Sequence, residues 1–242
     1  DICMRKFVDL HLCAPIDNLK QVEKMVNLSA ELGYRMVGIP LQLNISNERA
    51  RQVEEICNRV RVEFVRRVDL MPKTSGELLN NLGHFRRKFE IISVACTSKS
   101  VARQAAKDRR VDLLSPCVAF PCKRFFDYAE AELASKKLAS FEIDMALLLS
   151  LDGFPRIRLL SSLRKEVAVA RKFDIPITIS SGASDENFLR SPHDYVALTT
   201  LFDLPVSCAL QAVSDYPLSI VERNRGKLSS NYVAPGVRVV EK

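Results

Sequence analysis

The chain has 242 residues, 47% of them apolar, and no tract approaching 18 uncharged apolar residues. That excludes a membrane-spanning helix and a disordered polymer, and suits one large domain. The formal net charge is +7, and residues 59–124 hold 15 Lys/Arg against 6 Asp/Glu while the rest of the chain holds 21 against 23.

Strand-like and helix-like patterns alternate from the start. "FVDLHL" reads as a strand that carries Asp9 and His11 two residues apart, a spacing that places both on one face. "NLKQVEKMVNLSAEL" follows as a helix: Leu19, Val22, Val26 and Ala30 make one apolar stripe, Asp17 is the expected cap and Gly33 the expected end. "YRMVGI" is the second strand. "SNERARQVEEICNRV" is a helix capped by Ser46 or Asn47, and "VEFVRRV" the third strand. "SGELLNNLGHFRRKF" is helical before the fourth strand "EIISVAC", and "SKSVARQAAKDRR" precedes the fifth, "VDLLSP". "KRFFDYAEAELASKKL" leads to "ASFEIDM", and "SSLRKEVAVARKFD" to the seventh strand, "IPITISSG". In "SPHDYVALTTLFDLP", Ser191 caps, Pro192 takes the first helical position and Asp194 completes an S-x-x-D start. "PVSCALQAVSDYPLSIVERN" reads mostly as helix, broken near Pro217. An eighth strand has two candidate places, this stretch or the terminal "GVRVV".

The beat of roughly 25–35 residues is that of βα units, whose right-handed crossovers give a parallel sheet. The strands are apolar on both faces, as buried parallel strands are. No G-x-G-x-x-G follows the first strand, so the simplest Rossmann signal is missing. Seven or eight units without a linker favour an α/β fold of TIM-like (β/α) barrel type, a single domain over residues 1–242.

Such barrels display function at the C-terminal ends of their strands. Those ends are read as Asp9 and His11, Gly38 and Pro40, Arg66 and Arg67, Cys96 and Thr97, Ser115 and Pro116, Glu142 and Asp144, and Ser180 to Gly182. A multinuclear hydrolase needs many converging ligands, yet the chain has three histidines: His11, His84 mid-helix and His193 in a first helical turn. Even with Asp9, Glu142 and Asp144, a metal cage is under-supplied. "SSG" lacks the G-x-S-x-G elbow of a serine nucleophile, and Cys13 beside His11 has no oriented base. The seven cysteines contain no C-x-x-C and read as reduced thiols of an intracellular protein; Cys117 and Cys122 lack a second pair at zinc-finger spacing. The opening "DICMRKF" has no signal-peptide core.

Three stretches carry a family resemblance. "PITISSGASDENFLRSPHDYVALTTLFDLP", "FVDLHL" and "IVERNRGKLSSNYVAPGVRVV" together resemble the ribonuclease P protein component 3 family, a protein subunit of archaeal and eukaryotic ribonuclease P. The resemblance runs from about residue 7 to residue 240. It implies an irregular (β/α) barrel related to the polymerase-and-histidinol-phosphatase metallohydrolases, whose first strand ends in H-x-H. Here those places are His11 and Cys13, so "DLHLC" reads as a vestigial metal site with Asp9 and His11 as its remnant.

The resemblance further implies a noncatalytic RNA-binding subunit. In that enzyme the RNA subunit removes the 5′ leader of precursor tRNA with Mg²⁺, and this chain would bind no cofactor itself. Its partners would be ribonuclease P RNA, precursor tRNA indirectly, and a small ferredoxin-like protein subunit, with no membrane. The place would be the cytoplasm of an archaeon, or the nucleus or nucleolus of a eukaryote. Charge clustering, not a family motif, nominates the RNA contacts: Arg66, Arg67, Arg86, Arg87, Lys88, Arg109, Arg110, Lys123 and Arg124. Arg grips phosphate with a planar fork and Lys as a point charge. Two readings compete with this one: a phosphoesterase with a reduced metal site, and a protein scaffold whose basic face only holds water.

Overall fold

A computed structural model describes residues 5–116, 124–229, 232–234 and 237–238. In chain order the barrel elements are β1 (Phe7–Asp9), α1 (Leu19–Glu31), β2 (Tyr34–Pro40), α2 (Asn47–Arg59), β3 (Glu63–Leu70), α3 (Ser75–Phe85), β4 (Ile91–Cys96), α4 (Lys99–Lys107) and β5 (Leu113–Pro116). They continue with α5 (Tyr128–Ser135), β6 (Ser140–Asp144), α6 (Met145–Ser150), α7 (Gly153–Lys172) and β7 (Ile177–Ser180). Then come α8 (Pro192–Leu198), α9 (Val206–Ala212) and α10 (Asp215–Leu228), and a short antiparallel pair, β8 (Tyr232–Ala234) with β9 (Val237–Arg238).

The seven barrel strands are parallel and stand in sequence order. Among the described residues no eighth strand joins them. The seam between β1 and β7 closes above the strands, through a parallel bridge from Leu12 to Ala183 and bonds from Cys13 N to Ala183 O and Gly182 N to His11 O. Lower down, Val8 N turns to Val213 O, just past α9, so helix supplies what an eighth strand would. The barrel is thus nearly closed.

Side-chain chemistry sets most helix starts. Ser46, Thr74, Ser98 and Asp127 each accept from the backbone N–H three residues on, satisfying an orphan donor of the first turn. Ser191 and Asp194 form the full capping box, with Pro192 in the first turn. At α1 the cap is Asn18 rather than Asp17, because it is the Asn18 side chain that accepts from Gln21 N. Several helices differ from their sequence reading: Met145, read into the sixth strand, starts α6, and the break expected near Pro217 falls at residues 213–214, with Pro217 in the first turn of α10. The third stops at Phe85, with Arg86 as its cap, instead of running to residue 89. Residues 124–127 are not helical, since Asp127 caps a start at Tyr128. The seventh begins at Gly153, not Ser161: Pro155 lies in its first turn, where a missing N–H breaks no helical bond.

A large apolar layer fills the space between strands and helices. Inside the barrel a second cluster occupies the lower half: Val8, Leu10, Met36, Val65, Ile91 and Leu113 point inward and meet Ile220 and Val221 of α10. This last helix therefore plugs the end where the strands begin. Each fully buried Val or Ile there contributes about 1.5–3 kcal/mol.

Candidate functional site: the barrel mouth and the outer cations

Val65 belongs to the inner cluster, so the alternation of β3 turns Arg67 and Asp69 inward as well. The strand runs on to Leu70, three residues past Arg67. The arginine expected at a strand end is therefore inside the barrel, with 0% of its side chain exposed. Its guanidinium donates to both Glu142 oxygens at 2.6 and 2.7 Å, to Asp69 at 2.7 Å and to Leu10 O at 2.8 Å. Glu142 also accepts from Ser93 at 3.3 Å and Ser180 at 2.8 Å. A paired and bonded buried charge escapes the penalty that a lone one would incur.

The network continues upward. His11 Nδ1 lies 2.9 and 3.0 Å from the two Asp144 oxygens, and Nε2 lies 3.1 Å from Asp69. Glu142, Arg67, Asp69, His11 and Asp144 thus alternate in sign across β6, β3 and the residues after β1. Burial and the Arg67 charge oppose a proton on His11, yet Asp144 and Asp69 at its two nitrogens hold its pKa well above the usual imidazole range. Burial likewise opposes charge on Asp69, but Arg67 and His11 hold its carboxyl well below the ordinary range. Two glycines make room. A Cβ on Gly38 would stand 2.4 Å from Leu10 O, and one on Gly182, at φ +59°, 2.8 Å from Asp144 Cβ.

Asp9 does not join His11 in the mouth. The strand ends at Asp9, and its Oδ1 accepts from His11 N at 3.1 Å and Ser181 N at 2.9 Å, tying β1 to the end of β7. Its Oδ2 is buried without a partner among the described residues, and burial raises its pKa. The two-residue spacing failed here because the backbone leaves the strand before His11.

Among the described residues, the His, Asp and Glu atoms grouped closely enough to hold a metal are those of His11, Glu142 and Asp144, all within 4.8 Å of one another. They do not fit one as they stand. Arg67 lies bidentate on Glu142, and both His11 nitrogens are already bonded to carboxylates. A divalent ion would have to displace a guanidinium from bonded contact with one of its own ligands.

The other nominated cations divide by environment. Arg86 donates to Asp112 at 2.5 Å and to three backbone carbonyls, and Arg124 forks onto Glu166 at 2.6 and 2.5 Å with 9% of its side chain exposed. Arg110 forks onto Asp108, and Arg66 comes within 3.8 Å of Glu54. Arg87 and Lys88 are exposed; no described carboxylate pairs with either or with Arg109, and Lys88 stands 5.8 Å from the centre of the Phe85 ring. Lys123, Cys117 and Cys122 lie outside the described residues. Phe126 stacks on Phe141 at 4.2 Å, as core.

Sequence reasoning missed Asp69 as a mouth residue and the cations of α10. The signal for Asp69 was present: Arg67 and Asp69 repeat the i, i+2 spacing noticed at Asp9 and His11. A separate buried carboxyl, Glu130, accepts from Cys96 Sγ at 3.5 Å and has Oε2 unpartnered among the described residues. Burial pushes its pKa up to about 8.

Fold and mouth together define a TIM-like barrel whose C-terminal strand ends are cross-linked by its own charges. Its backbone is similar to that of a putative prolidase from Bifidobacterium longum (TM-score 0.54, 9% identity, 91% of this chain and 70% of that one), a likeness of fold alone. The family is narrower: the RNase P subunit p30 profile matches residues 6–229, and the chain belongs to that family. Ribonuclease P protein component 3 of Methanosarcina mazei is 30% identical over 236 residues, covering 98% of this chain and 96% of that protein. Its counterpart in Methanococcoides burtonii is 26% identical over 98% and 95%. A chain in the cryo-EM structure of archaeal ribonuclease P with mature tRNA superimposes with a TM-score of 0.83 at 23% identity, over 97% of this chain and 98% of that one. Among the described residues no helix is long and apolar enough to cross a membrane.

Proposed function

We propose that this chain is a noncatalytic protein subunit of ribonuclease P, holding the RNA that cleaves precursor tRNA. The observation that carries the reading is the division of charge. The mouth pairs its ions with one another, whereas Arg87, Lys88 and Arg109 have no described carboxylate partner. Such cations meet phosphates by shape and charge, without reading bases. Family membership over nearly the whole chain supports the same reading. Mg²⁺ is then the RNA's requirement, not this chain's, and the place of work is the cytoplasm of an archaeon. A small ferredoxin-like subunit is the expected protein partner. Phe154 and Ile157, 80% and 61% exposed near the start of α7, are apolar surface suited to some such contact.

Reconstitution tests the proposal. Cleavage of precursor tRNA by the RNA with its other protein subunits should rise when this chain is added, and its affinity for ribonuclease P RNA should fall steeply with salt. Binding that stays flat from low to physiological salt would overturn it. The competing phosphoesterase reading requires stoichiometric Zn, Mn or Fe and hydrolysis of a simple phosphoester, both lost on His11→Ala; Arg67 on the ligand Glu142 weighs against it.

A further inference from the structure

The end of the barrel where strands begin carries a second charged assembly. Glu90 and Asp112 immediately precede β4 and β5, and α10 crosses beneath them. Asp112 is 1% exposed and fully engaged: Oδ2 accepts from Arg86 at 2.5 Å and Ile92 N at 2.9 Å, Oδ1 from Arg223 at 3.0 Å and Asn224 at 2.8 Å. Glu90 and Glu63 are taken by Arg225, each at 2.6 Å. Two further cations approach this rim. Arg109 precedes Arg110, whose carbonyl oxygen accepts from Arg86 at 3.0 Å. Lys227 follows Arg223 by one helical turn, on the same side of α10. Neither Arg109 nor Lys227 has an ion-pair or hydrogen-bond partner among the described residues.

We propose that Arg86, Arg109, Arg223 and Lys227 form an oxyanion site on this rim that takes a backbone phosphate of RNA. The proposal deepens the RNA-binding reading and rests on it. Four cations converge where one carboxylate, Asp112, is shared between two of them, so positive charge is left over. Asp112 and the carbonyls fix Arg86 and Arg223 in place, leaving less side-chain freedom to lose on binding. The crowding registers on Lys227: partial burial and then Arg223, Arg86 and Arg109 lower its pKa, against Asp112. An anion placed among them would relieve that repulsion. No run of sequence announces the site, because α3, the α4–β5 turn and α10 each bring part of it.

The test uses the full chain and ribonuclease P RNA. Arg109→Ala/Lys227→Ala removes the two cations that hold nothing else, and Lys20→Ala/Lys165→Ala removes the same charge from exposed positions on α1 and α7. The rim pair should make the slope of log affinity against log salt shallower by about 1–2, and the control pair should leave it nearly unchanged. Equal slopes for the two pairs, with wild type still binding RNA, overturn the rim site and leave the broader reading standing. Wild type that binds no RNA overturns both. In a parallel arm, inorganic phosphate that protects wild type against thermal unfolding, together with an unchanged RNA slope in the rim variant, would mark a free-anion site and defeat the RNA assignment.

Discussion

The two ends of this barrel solve the same problem in opposite ways. Both set carboxylates against arginines: buried Glu142 and solvent-touched Asp69 on Arg67 at the mouth, buried Asp112 on Arg86 and Arg223 at the base. At the mouth the charges are engaged with one another, and Arg67 at their centre has no exposed surface although Asp69 on its outer side is 33% exposed. At the base the arginines remain 20% and 26% exposed, and unpaired cations stand next to them. The difference teaches that buried ion pairs and binding surfaces are not marked by residue type. What separates them is whether a cation has charge left over once its own carboxylates are satisfied.

The sharpest way to break the comparison is to cut each network at its hub. Arg67→Met should destabilise the fold by about 3–5 kcal/mol in urea denaturation, since it strands buried Glu142. Adding Glu142→Leu should recover a large part of that loss; an additive double variant would mean the two side chains are not coupled. Asp112→Ala should cost less, about 2–3 kcal/mol, because water can reach Arg86 and Arg223 but not the buried Ile92 N–H.

Glu130 offers a third cut, this one by pH. Its folded pKa of about 8 exceeds the ordinary 4.5, so the folded state binds the proton more tightly than the unfolded chain does. Its contribution to stability is full below pH 4.5 and is lost as pH rises to 8. The stability of wild type relative to Glu130→Gln should therefore fall by a few kcal/mol across that window and level off above it. A difference that stays constant would show that the carboxyl ionises freely. The smallest effect on stability belongs to the surface: Arg87→Ala/Lys88→Ala should change unfolding by less than about 0.5 kcal/mol while flattening the salt dependence of RNA binding.

Much of the architecture was legible in the sequence. Seven strand positions and the Ser191 capping box follow from apolar runs and cap chemistry, which act over a few residues. The site was legible only in part. "VEFVRRVDL" does not say where its strand stops, and a two-residue error moves Arg67 from the rim to the interior. His11 was found, but its partners Asp69 and Asp144 come from β3 and β6. The base is less legible still. Counting charge along residues 59–124 collects Arg67 and Arg124, which are taken up by Glu142 and Glu166, and omits Arg223 and Lys227, which lie a hundred residues further on.

The plug made by α10 has a bearing on synthesis. Until Ile220 and Val221 arrive, the inner faces of the first five strands, from Val8 to Leu113, have no lid of oil against water. The nascent chain must carry that uncovered surface from the completion of β5 until residues 220 and 221 emerge, and α10 is the piece that ends the exposure. Truncation before residue 220 should therefore leave an open apolar interior and lead to aggregation rather than to a smaller barrel, as solubility of the shortened chain would show.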